Sequence, residues 1–239
     1  MKLLGIVLAA LMMNVVAAGQ TVKSPGKRQV GISYSASKHN EDVVLGSLRP
    51  VLRSSGYAGR IYFGGQCAAV GSGGGNEFVY FPATEVHQPT GSGVKAIESI
   101  FRDNGSVTVS KESDKVVSIR IGQPSTTILQ TRVPNFRTAS LAQYNASGAI
   151  GSLLDTPEVT AEMARRRLRV PLTLYNMLVA QPAEGLPHMP NILRDMTADQ
   201  ILDSVAVTFQ GVVVYGICPE HSGRKMFSIY FTGLEPSRK

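Results

Sequence analysis

Few residues of this 239-residue chain have the type and spacing to do chemistry. Cys67 and Cys218 are its two thiols, and they lack the Cys-x-x-Cys spacing of a redox pair. Each follows the end of an expected strand, so an internal Cys67–Cys218 disulfide of structural kind is expected. Two unpaired thiols or an intermolecular bridge are the alternatives. The bond would close a loop of about 150 residues and contribute up to about 5 kcal/mol by chain entropy. Cys218-Pro219-Glu220-His221 places a thiol and an imidazole three apart, which is half of a zinc site. No second Cys/His cluster completes it, and His39, His87 and His188 are scattered. We therefore expect His221 in an exposed hairpin turn, with no metal and no cofactor.

Other patterns fail on their companions. Ser35-Ala36-Ser37-Lys38 has the serine–lysine spacing of penicillin-recognising enzymes, but the Lys-Thr-Gly companion is absent and Ser35 falls in an expected linker. There is no Gly-x-Ser-x-Gly elbow and no His-Glu-x-x-His pair, and no Gly-Lys-Ser/Thr follows the glycine tract at 71–75. Glu158 with Glu162, and Asp199 with Asp203, share helix faces at i,i+4. Such pairs could run acid–base chemistry, but on surface helices they are expected to be solvated, and Glu158 and Asp199 also suit first helical turns. Arg165, Arg166, Arg167 and Arg169 form the densest charge cluster and could grip phosphate or carboxylate bidentately. They also suit a helix C-terminus, and no interleaved aromatics support stacking on nucleic acid. No residue is assigned a catalytic role.

The elements that would carry these residues are readable from periodicity and capping. Residues 20–40 read as a linker rich in Ser, Gly, Lys and Arg. Asn40 then caps a helix with Val44, Leu45, Leu48, Val51 and Leu52 inward, kinked or divided at Pro50 and stopped at Gly56. Strands are expected at 60–63, 78–81, 107–111, 116–121, 171–178, 212–217 and 226–231, and a helix at 94–101. Residues 141–154 are ambiguous. Thr156-Pro157-Glu158 opens a helix to about Arg167, and Thr197-Ala198-Asp199-Gln200 is a capping box opening another, with Gly211 at its end.

One order recurs, helix then glycine then strand, around Gly59, Gly105 and Gly211. The expected physics is a helix ended by a glycine at positive φ, with the chain reversing into a strand that covers it. The segment Ser92-Gly93-Val94-Lys95-Ala96-Ile97-Glu98-Ser99-Ile100-Phe101, then residues 106–109 and 116–121, resembles the short N-terminal domain of secretins and TonB-dependent receptors. The segment from Thr197 to Ala206, with 212–215 and 226–231, is similar, and together they cover under half of the chain. The resemblance implies βαββ modules that make protein–protein contacts in the periplasm without catalysis. The long membrane-barrel sequence that normally follows is absent.

Composition sets the rest. With 43% hydrophobic residues and a net charge of +7, the chain is not disordered throughout, and two Cys do not make a disulfide miniprotein. Residues 1–19 read as a signal peptide: Lys2, an apolar stretch, then Ala17-Ala18-Gly19. Removing them takes one Lys and no acid, leaving +6 and no transmembrane segment. The expected fold class is α+β, two small helix-on-sheet modules with βαββ-type units, at 41–122 and 171–234. Residues 123–170 connect them and 235–239 form a tail; whether the two share a sheet is open. The expected function is an exported, periplasmic or secreted, non-enzymatic module that binds an envelope or secreted protein by strand addition at residues 212–215 or 226–231. A hydrolase with a dispersed site and an anionic-polymer binder using Arg165 to Arg169 are the alternatives; nucleic acid is not expected.

Overall fold

The computed structural model describes residues 34–70, 76–138, 141–169, 185–221 and 224–235. The expected signal peptide, most of the expected linker, the glycine tract at 71–75 and the strand at 171–178 lie outside the described residues.

The chain is an α+β protein. Its main sheet has six strands in the order β4-β5-β1-β9-β10-β7. These are β1 (Ala58–Gly64), β4 (Val107–Lys111), β5 (Val116–Ile121), β7 (Leu168–Arg169), β9 (Gly211–His221) and β10 (Arg224–Gly233). β1 is parallel to both β5 and β9, β4 folds back antiparallel on β5, and β10 is antiparallel to β9 and parallel to β7. Strands from both expected modules thus share one sheet. Two smaller ladders join β2 (Gln66–Val70) to β3 (Asn76–Tyr80), and β6 (Arg132–Phe136) to β8 (Leu193–Thr197). The last ladder and the β7–β10 pair bind the expected connecting segment to the second module.

Both faces of the sheet are covered. On one, α1 (Tyr34–Ser55) and α2 (Gly93–Ile100) bury Leu45, Leu48, Leu52 and Ile97 against Ile61, Phe63, Val212 and Val214. On the other, α3 (Ala146–Leu154), α4 (Pro157–Arg165) and α5 (Ala198–Thr208) pack Ile150, Leu153, Val159, Leu202 and Val205 over Tyr62, Val213, Tyr215 and Phe227. A strand covered on both faces needs apolar residues at successive positions, and β9 carries Val212-Val213-Val214 for that reason.

Several local expectations need correction. α1 begins at Tyr34, so residues 34–40 are helical and not linker, and Asn40 is no N-cap: its amide donates to Tyr80 Oη and the Phe81 carbonyl at 3.0 Å each. Pro50 neither divides nor ends α1. It lies on the solvent side, and the carbonyl whose bond it removes belongs to exposed Gly46, where water can satisfy it. The ambiguous stretch resolves into a 3-10 turn and α3, which Asn145 caps through Ser147 N–H and Gly148 N–H.

The recurring glycines divide by cause. Gly56, not Gly59, ends α1, with φ +70 and a Schellman pair of bonds, Tyr57 N–H to Leu52 O at 3.0 Å and Gly56 N–H to Arg53 O at 3.2 Å. After α2 and α5 the left-handed position is taken by Asp103 and Gln210. Gly211 is needed for space: a Cβ there would come within 2.1 Å of the Phe231 ring and 2.5 Å of the Thr232 carbonyl oxygen.

Candidate functional site

The capping box at Thr197 forms as expected. The Thr197 side chain accepts from Gln200 N–H, and the Gln200 side chain accepts from Thr197 N–H at 2.9 Å. It starts α5 at a defined residue and so sets which way Asp199 and Asp203 face. They face inward, onto Arg60 of β1, and the expectation that they are solvated is wrong. Arg60 is 2% exposed, Asp199 15% and Asp203 23%.

Arg60 is the centre of the site. Its Nη1 lies 2.7 Å from Asp199 Oδ1, its Nε 3.0 Å from Asp203 Oδ1 and its Nη2 3.4 Å from Glu112 Oε2. Tyr62, two residues on and therefore on the same face of β1, donates its hydroxyl to Asp199. The guanidinium carbons of Arg60 and Arg120 lie 5.4 and 5.5 Å from the Tyr62 ring centroid. Glu112, after β4, accepts from Ser110 Oγ and Ser118 Oγ at 2.8 Å each. One buried cation thus ties β1, α5 and the β4–β5 turn together.

Burial opposes the charge of Arg60, but Tyr62 and the three carboxylates outweigh it and raise its pKa above the ordinary value. Burial also lifts the Tyr62 phenol far above its usual range, so it remains a donor. For Glu112 burial is again opposed, here by the two serine hydroxyls, Arg60 and Arg120, which together hold its carboxyl below the usual range. Asp203 goes the other way. Burial pushes it up to about 7, Arg60 pulls it down, and Asp199 and Glu112 add to the rise. The geometry explains why Arg60 loses: Asp203 Oδ1 and Arg60 Nε approach closely but share no hydrogen bond, and the charge of Arg60 is divided among three acids. With Asp203 protonated, two guanidiniums face two carboxylates.

The other expected site residues are placed as follows. Cys67 and Cys218 form the expected disulfide, joining β2 to β9 across a Cα–Cα distance of 5.3 Å and a separation of 151 residues. Arg165 and Arg166 both turn onto Glu162, Arg165 bidentately at 2.7 and 2.6 Å. These hydrogen bonds hold the Glu162 carboxyl down to about 2. Arg167 and Arg169 are exposed. Ser35 lies in α1, not in a linker, and Lys38 pairs with Glu41 and Asp42. His87 Nε2 lies 3.8 Å from Glu85, and the exposed His188 ring packs beside Tyr144. Among the described residues, no group of three or more His, Cys, Asp or Glu could hold a metal ion, and no helix is long and apolar enough to cross a membrane.

The expected docking edges also change. Residues 212–215 lie in β9, hydrogen-bonded to β1 on one side and β10 on the other, and have no free edge. β10, with residues 226–231, is paired with β7 only at Lys225 and Met226. β4 ends the sheet. In the β4–β5 ladder, Glu112 N–H bonds to Val116 O and Gly122 N–H to Ser106 O. The alternation of an antiparallel pair then assigns Thr108 and Ser110 to β5, and turns the N–H and C=O of Val109 and Lys111 outward.

Arg60 and Tyr62 were read only as strand residues in the sequence. A charged residue inside an apolar strand, with an i,i+4 acid pair elsewhere, was the signal that could have found the site. Comparison of the chain with protein-family models, curated proteins and solved structures found no match.

Proposed function

We propose that the chain is an exported, non-enzymatic envelope protein that binds a protein partner by adding a partner strand to the β4 margin of its sheet. One observation carries the reading. β4 keeps an unbroken register from Val107 to Lys111, contains no proline and has a single lysine at its end. Edges protected against pairing carry bulges, prolines or inward charges. The outward N–H and C=O of Val109 would meet the added strand as a hydrogen-bonded pair. Val107 and Val109 pack on the α1–α2 core, so the same face of the partner strand would extend that core. The likeness of the α2–β4–β5 and α5–β9–β10 units to modules that mediate protein contacts in the periplasm supports the same reading, as does a disulfide suited to an oxidising compartment.

Val109→Pro tests it. The substitution removes an outward N–H and none of the bonds to β5, so the fold should survive. A photo-crosslinker at Thr108 of the exported protein should capture a discrete envelope protein, and Val109→Pro should abolish that adduct while leaving the circular dichroism unchanged. Adducts that persist in Val109→Pro would refute strand addition at this edge.

A further inference from the structure

The carboxyl ends of α1 and α5 approach the same end of the sheet from opposite faces, and a cavity of about 320 Å³ lies between them. That is roughly ten times the share of one water molecule in the liquid, and it reaches the lower range of small-molecule sites. Leu52, Ala58, Val207 and Leu234 supply apolar wall, and Arg53 and Lys115 supply its cations. The two cations are not equivalent. Arg53 is engaged with the Leu234 carbonyl and with Glu235 at 3.3 Å. Lys115 is fixed through its backbone, whose carbonyl accepts Ala58 N–H at 2.8 Å, while its exposed ammonium has no ion-pair partner among the described residues.

From this geometry we infer that the cavity is a binding site for a single-chain amphiphile with a carboxylate head. The hydrocarbon chain lies between Leu52 and Val207, out of water. The head stays beside Lys115, away from the helix-end carbonyls of α1 and α5, whose partial negative charge repels it. A neutral head would forfeit the lysine, and a cationic head would meet Lys115 and Arg53 as like charges. The site is separate from the β4 edge and does not depend on strand addition.

Octanoate, hexanoate, octan-1-ol and octylammonium, titrated into 15N-labelled protein, test the inference. Octanoate should shift the amides of Ala58, Lys115 and Val207 and bind more tightly than the other three. Each buried methylene is worth about fourfold in affinity, so hexanoate should bind about fifteenfold more weakly. Lys115→Gln, a surface change, should weaken octanoate about threefold to fivefold and leave octan-1-ol unchanged. Val207→Phe, which fills the cavity, should weaken both. Equal binding of octanoate and octan-1-ol, indifference to Lys115→Gln, shifts confined to another surface, or no binding at millimolar ligand would each overturn it. Because Lys115→Gln does not touch the core, the result stands even if Val207→Phe fails to fold.

Discussion

Replacing Asp203 by Asn should make the protein more stable at pH 8 and leave it unchanged at pH 4. The folded state holds the Asp203 proton up to about pH 7, whereas an ordinary aspartate loses it near 3.8. Between those values the folded chain binds the extra proton, so stability falls as pH rises through the window and levels off above 7. A shift of that size corresponds to about 4 kcal/mol at about 1.36 kcal/mol per unit. The side chain is 23% exposed, and screening by water reduces the effect to about 1–2 kcal/mol. Asn keeps the shape of the protonated acid and cannot ionise, so it should abolish the slope. Glu112 and Glu162, whose carboxyls are held low, lose their stabilisation as the pH falls through about 5 and below, equally in wild type and Asp203→Asn, so the difference between the two chains isolates Asp203. Urea unfolding followed by far-UV circular dichroism, at half-unit steps from pH 4 to 8, reads the slope directly; the chain has no Trp to report it by fluorescence. A wild-type stability that rises from pH 4 to 7, with Asp203→Asn destabilised at pH 8, would show Asp203 acting as an ionised partner of Arg60 and refute the reasoning.

Three other perturbations follow from the packing. Arg60→Met leaves Asp199, Asp203 and Glu112 without their shared cation, and should cost about 3–5 kcal/mol at pH 7 and less in acid, measured by the same unfolding series. Gly211→Ala forces a methyl against the Phe231 ring and the Thr232 carbonyl oxygen, and should lower stability by about 2–3 kcal/mol in thermal unfolding; an unchanged Tm would mean that the β9–β10 ladder yields easily. The double change Cys67→Ala with Cys218→Ala should cost up to about 5 kcal/mol, and a reductant should destabilise the wild type but not the double variant.

What was legible in the sequence was local. The capping box at Thr197, the proline at the first position of α4, the strands at 107–111 and 116–121 and the stop at Gly56 each depend on a few neighbouring residues. Such signals act within one helical turn or one hairpin, which is why their boundaries hold. The α+β class and the Cys67–Cys218 pair were also within reach, the latter because only two thiols exist. Asn40 misled because a good capping residue inside a longer helix is spent on a different bond, here to Tyr80 and Phe81.

The tertiary structure alone decided the site and the edges. Arg60 and Asp199 are 139 residues apart, and they meet because β1 lies between β5 and β9 with α5 packed across that face. Parallel pairing of distant strands leaves no turn signature in the sequence. The inward or outward direction of an i,i+4 acid pair depends on what the opposing strand presents, not on the spacing of the acids. The same cause hid the margin of the sheet, because residues 212–215 carry the composition of any strand, and only the order of the sheet shows them in its interior while β4 stands at its border among the described residues.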